Sequence, residues 1–184
     1  LVTTSDRLIL TGSHGADDTC LGGKAANLRR LVAAGYDVPA WFVISTNAFD
    51  QALAPIDDHV RQLLVGIDFA DTDDVRQTAQ QIGDLILSLE WSPELCLALQ
   101  QSLDELSTDR LSVRSSVLGE DSAEHSFAGQ MASFLNVPPA EVPDMVRRVW
   151  TSAYSARALA YRHHKGICST SIRTAVIVQR MVSS

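Results

Sequence analysis

The sequence predicts a mixed fold of the α/β (α+β) class, and three stretches carry that prediction. Residues 111–137, LSVRSSVLGEDSAEHSFAGQMASFLNV, place a strand, a Gly- and Ser-bearing loop and a second strand in succession. Residues 55–107 repeat their apolar positions at helical spacing. Residues 173–182, RTAVIVQRMV, hold an apolar run too short for a helix, the pattern of a strand buried on both faces.

In chain order, a short strand is predicted at residues 7–10, followed by a polar lead-in, SHGADDT, that ends at Cys20. Leu21, Gly22, Gly23 and Lys24 open a helix carrying Ala25, Leu28, Leu31 and Val32 on one face, with Gly35 as its left-handed stop. A cation in a first helical turn is mildly unfavourable against the helix dipole, whereas backbone N–H groups beside Gly22 and Gly23 suit an anion. Lys24 therefore makes sense beside a phosphate; the plainer alternative is a solvated lysine at a helix start.

Residues 37–45, DVPAWFVIS, read as a turn into a buried strand, after which Thr46 is expected to cap a short helix containing Phe49 and Leu53. Three helices follow. Val60, Leu63 and Leu64 mark the first; Val75, Ala79, Ile82, Leu85, Ile86 and Leu89 mark the second. Ser92 as N-cap and Pro93 at the first helical position start the third, striped by Leu95, Leu99, Leu103 and Leu106. Their acidic and Gln-rich faces assign this block to packing rather than chemistry.

In the central stretch Leu111 and Val113 point to one face of a strand, and Ser112 and Arg114 to the other. Arg114 is expected at the mouth of that strand, facing away from the core. Gly119, Gly129, the intervening serines and the adjacent Glu120 and Asp121 read as a loop that closes over a ligand. The alternative is an ordinary hairpin with a long connection, in which Arg114 makes a surface ion pair. Residues 132–137 return to strand character until Pro138 and Pro139 forbid continuation. Residues 140–154 and 155–165 then read as two helices, the second ending in a basic cluster that suits the dipole. His163 and His164, being adjacent, project to different helix faces, which argues against a metal site with Cys168. A chain that stops shortly after a buried strand is expected to be a fragment, since the strand's edge would need a cover.

The 184 residues suffice for one domain with a real core. With 46% hydrophobic and 20% charged residues, the composition is that of a folded chain. A net charge of −7 argues against nucleic-acid binding, which needs a basic face, but leaves room for a nucleotide in a local cationic pocket. Cys20, Cys96 and Cys168 are odd in number and widely spaced, so neither a disulfide framework nor a zinc knuckle is predicted, and reduced thiols in the cytoplasm are expected. No apolar run approaches the ~20 residues needed to span a bilayer, and no signal peptide is recognised. No membrane partner is expected.

GGKAANL, VRSS followed by Glu120 and Asp121, SFAGQ, FLNV, the Tyr161-Arg162 pair and VQRMV occur in one order. Together they closely resemble the ATP-binding domain of the pyruvate phosphate dikinase and phosphoenolpyruvate synthase family, which also includes rifampicin phosphotransferase. The resemblance covers nearly the whole chain, with the helical block least diagnostic. It implies that residues 1–184 form the first lobe of an ATP-grasp domain, with a helical insertion at about 55–107. It implies that ATP lies between two lobes and passes its β-phosphate to a histidine on a separate swivelling domain, then to pyruvate or another acceptor. The expected partners are thus ATP and the phosphohistidine and acceptor domains of the same full-length protein.

By motif position, the resemblance implies Lys24 and Arg114 as catalytic and ATP-binding residues. It implies Ser133 and Gly129 at the phosphates, with residues 126–130 closing over them, and Gln179, Met181 and Val182 near the adenine. The family's Mg²⁺ ligands lie on the second lobe, so no metal ligand is expected here, and Glu120 and Asp121 are read as loop-positioning. Two departures stand out: VLGED replaces the usual Ala-Thr/Ala-Glu-Asp run after VRSS, and Met131-Ala132 replaces a more polar pair. The alternatives are a rifampicin phosphotransferase lobe and a non-catalytic nucleotide-binding module that has kept the fold.

Overall fold

A computed structural model describes residues 7–11, 20–117 and 131–182, and in it five strands form one sheet in the order β1-β2-β5-β3-β4. The strands are β1 (Ile9–Thr11), β2 (Trp41–Ile44), β3 (Leu111–Val117), β4 (Ser133–Val137) and β5 (Thr174–Arg180). Every neighbouring pair is antiparallel. Of the two classes expected, the fold is therefore α+β; the parallel pairing of α/β units is not what joins these strands.

β5 explains its own composition. Its last residue is exposed but the six before it are buried, because it inserts between β2 and β3 and is covered on both faces. Both edges of β5 are paired, one with β2 and one with β3.

One face of the sheet packs against helices. Phe42, Ile44, Val176, Val178, Leu111 and Val113 meet helices α2 (Thr46–Leu53), α3 (Asp57–Val65), α4 (Thr72–Leu87), α5 (Pro93–Leu106) and α6 (Val142–Ser152) in one core. At its centre Trp150 is fully buried and meets Phe49 edge-on and Trp91 at a tilt, with ring centroids 5.7 and 5.6 Å away. Because Val60, Ile82, Ile86, Leu95 and Leu99 belong to the same cluster, the helical block shares the sheet's core and is not an appendage. No helix among the described residues is long and apolar enough to cross a membrane.

Caps set several helix starts. Asp71 accepts from the N–H groups of Asp73 and Asp74 at α4, and Ser92, with Pro93 beside it, accepts from Leu95 N–H at α5. Ser155 caps α7 (Ala156–His164) through Ala158 N–H. At α2 the expected cap is displaced by one position. Ser45, not Thr46, holds extended geometry and accepts from Ala48 N–H, while Thr46 is the first helical residue.

Candidate functional site

The second face of the sheet is covered over only part of its width. Residues paired across neighbouring strands point to the same side, so the register defines a row of five: Leu10, Val43, Ile177, Arg114 and Ser133. Its apolar half is buried under helix α1 (Gly23–Ala33) by Leu21 and Ala25. Its polar half, Arg114 and Ser133, lies on β3 and β4, where Arg114 is half-buried and Ser133 exposed.

Arg114 stands at the fourth of the seven positions of β3, not at the strand's mouth as expected. Its neighbours Val113 and Ser115 are buried on the opposite, helix-packed face, so alternation leaves its guanidinium on the α1 side. No hydrogen bond or ion pair ties that side chain to another described residue.

The first turn of α1 meets the sheet two residues further along β3. Gly22 precedes the helix at φ 74°, in the left-handed region that glycine tolerates. A Cβ at this position would lie 2.2 Å from the Ser116 carbonyl oxygen and 2.6 Å from its Oγ, so only glycine permits the approach. Gly22 has no side chain to cap α1, and the Ala25 N–H donates instead to Ser116 Oγ at 3.1 Å. Lys24, half-buried, sits between these two anchored residues. Residues Arg114 and Ser116 are about 7 Å apart along the strand, so the helix start bearing Lys24 is docked beside Arg114's row.

The opposite end of the same face holds another row, Trp41, Gln179 and Ser112. Gln179 is buried, and its Nε2 donates to the Pro39 carbonyl at 3.2 Å, fixing the turn into β2. Ser112 Oγ donates to the Gln179 carbonyl at 3.4 Å. Beyond β5 the Met181 N–H donates to the Arg110 carbonyl at 3.1 Å, which occupies the backbone donor of a residue predicted to sit at a nucleotide; Val182 is exposed.

The fold thus brings Lys24, Arg114, Ser133 and Gln179 to one side of the sheet, with Met181 and Val182 at the end of β5. Gly129, Glu120, Asp121 and the loop at 126–130 lie outside the described residues. Sequence reasoning gave no role to Ser116. Its only signal was a pair of adjacent serines interrupting an alternating strand, and recognising its contact required knowing that Gly22 packs there.

Comparison with known proteins bears on this arrangement. Residues 18–184 match the family described as "Pyruvate phosphate dikinase, AMP/ATP-binding domain". A "Probable phosphoenolpyruvate synthase" of Methanothermobacter thermautotrophicus is 36% identical over 183 residues, covering 92% of this chain and 26% of the relative. The "Phosphoenolpyruvate synthase" of Escherichia coli is 35% identical over 178 residues, covering 89% of this chain and 22% of the relative. A "Probable phosphoenolpyruvate synthase" of Methanocaldococcus jannaschii is 33% identical over 172 residues, covering 89% and 14%. The chain spans about a quarter or less of the length of these curated relatives.

Proposed function

The chain belongs to the family of pyruvate phosphate dikinase AMP/ATP-binding domains, and from that premise we propose that it is the first lobe of an ATP-grasp domain in a phosphoenolpyruvate synthase-like dikinase. In this reading ATP passes its β-phosphate to a histidine on a separate domain of the full-length protein, and from there to pyruvate. The protein would work in the cytoplasm.

Arg114 is the observation that carries the proposal. A half-buried guanidinium has lost part of its hydration, and no described residue replaces it. An anion with two coplanar oxygens supplies what is missing, because phosphate accepts both edges of the guanidinium fork. The Gly22 approach fits the same ligand, since it brings a helix start to the row that Arg114 shares with Ser133.

The residues then take distinct roles. Lys24 and Arg114 bind and orient the polyphosphate and stabilise charge as the phosphoryl group leaves, which is electrostatic work requiring no acid or base from this lobe. Ser133 donates its hydroxyl to a phosphate oxygen, and Gly129 is assigned to the same phosphates by its place in the SFAGQ motif. With Nε2 of Gln179 committed to Pro39, its Oε1 is the atom that faces the adenine, and Met181 and Val182 flank the ring. Mg²⁺ would accompany the polyphosphate, with its protein ligands on the second lobe; among the described residues no group of three or more His, Cys, Asp or Glu is placed for a metal.

The test is calorimetric titration of the full-length native protein with Mg·ATP, beside Lys24→Ala and Arg114→Ala. Each variant is expected to weaken binding about 10- to 100-fold, the worth of a charged hydrogen bond, and to slow phosphohistidine formation. A wild-type protein silent toward Mg·ATP, or variants that bind as well as it does, would sink the proposal. Pyruvate and rifampicin then separate the acceptors.

A further inference from the structure

Among the described residues, helices α2, α4, α5 and α7 are capped by the side chain of their own Ser or Asp. Helix α1 has a glycine in that place and takes its cap from Ser116, 91 residues distant from Ala25. The cap is also a joint. Its donor follows Lys24 directly, and its acceptor lies on the same strand face as Arg114, two residues away.

We propose that Ser116 is a positioning residue for phosphate binding, holding the first turn of α1 so that Lys24 and Arg114 address one polyphosphate together. This role rests on the ATP reading above. Lys24 and Arg114 lie on elements far apart in sequence, and a ligand gains from both cations only when their separation is preset. Gly22 allows close contact between α1 and β3, and the Ala25-to-Ser116 bond fixes where along the strand that contact falls. Without the hydroxyl the helix start loses an anchored donor and frays, as end turns do. Lys24 then samples positions that Arg114 does not share. Ser116 itself touches no reacting atom in this account.

Ser116→Ala in the full-length protein tests it with two readouts. Hydrogen exchange by mass spectrometry follows the peptide spanning residues 21–28, and titration follows Mg·ATP. Ser116→Ala is expected to speed exchange in that peptide and to weaken Mg·ATP binding about 3- to 10-fold, the range for a lost helix cap. A double-mutant cycle then separates positioning from general damage. In a Lys24→Ala background the same substitution should weaken binding by less than about twofold, because the residue it positions is gone.

An undiminished loss in the Lys24→Ala background would overturn the positioning role, as would unchanged exchange or unchanged affinity in the single variant. A wild-type protein that does not bind Mg·ATP would overturn the functional reading and this role with it. The exchange data would still report whether Ser116 anchors α1, so the two failures are distinguishable.

Discussion

Ser133 on the edge strand β4 is the direct cross-strand partner of Arg114 on β3, and the two point to the same side of the sheet. Side chains so paired have Cβ atoms about 5 Å apart, close enough for a long acidic side chain to reach the guanidinium. Ser133→Glu is therefore expected to form a cross-strand ion pair, leaving thermal stability unchanged or up to about 1 kcal/mol higher. That internal carboxylate competes with phosphate. Mg·ATP affinity should fall further than in Ser133→Ala, which removes only one hydrogen bond to a charged phosphate oxygen, worth about 1.5–3 kcal/mol of binding. Calorimetry and a melting curve read both. Equal Mg·ATP affinities for the two variants would remove Ser133 and Arg114 from the binding row.

Ser45 and Thr46 are adjacent residues of capping type with opposite expected sensitivities. Ser45 Oγ accepts from Ala48 N–H at 3.3 Å and donates to the Arg7 carbonyl at 2.9 Å, tying α2 to the segment before β1. Thr46 Oγ1 is buried, with no hydrogen-bond partner among the described residues. Ser45→Ala should lower stability by about 1–2 kcal/mol. Thr46→Val, which keeps the shape and removes an unsatisfied hydroxyl, should be neutral or slightly stabilising. Denaturant melts of the two variants check this, and a larger loss at Thr46 would place the cap there after all.

Tyr154 sets an alkaline limit. Burial pushes its phenol well above the ordinary value, and the nearby Arg162 charge offsets this only in part. The folded state therefore holds that proton more tightly than the unfolded chain does. The associated stability is complete below the unfolded value of about 10 and is lost as pH rises toward the folded one. Stability is expected to fall with alkaline pH above about 10, with Tyr154→Phe flattening that fall. An ultraviolet titration should show a late tyrosinate that is missing in Tyr154→Phe. Ultraviolet titration curves that coincide for the wild type and Tyr154→Phe well above pH ~10 would contradict its burial.

Much of this fold is local enough to be read from residues in line. The Ser92-Pro93 start of α5 and the apolar run of β5 need no knowledge of distant partners, and both stand as predicted. Strand order is different in kind. Nothing in residues 173–182 states that β5 lies between β2 and β3, because that depends on which edges remain unpaired once the helices have packed. The same reasoning separates Lys24 and Arg114 from Ser116. The first two carry charges in motifs whose spacing can be recognised, whereas a neutral hydroxyl becomes informative only when a helix start 91 residues away is laid against it. The choice between Ser45 and Thr46 was likewise closed to the sequence, since both types cap helices and only backbone geometry distinguishes them.

The central place of β5 also governs how the chain can be made. As the polypeptide leaves the ribosome, β2 and β3 emerge long before the strand that joins them. Until residues 174–180 arrive, the pairs β1-β2 and β3-β4 are separate half-sheets, each with an open edge able to pair with another chain. Productive closure thus waits on residues 174–180, which makes the emergence of β5, more than local helix formation, the event that commits this sheet to its native order.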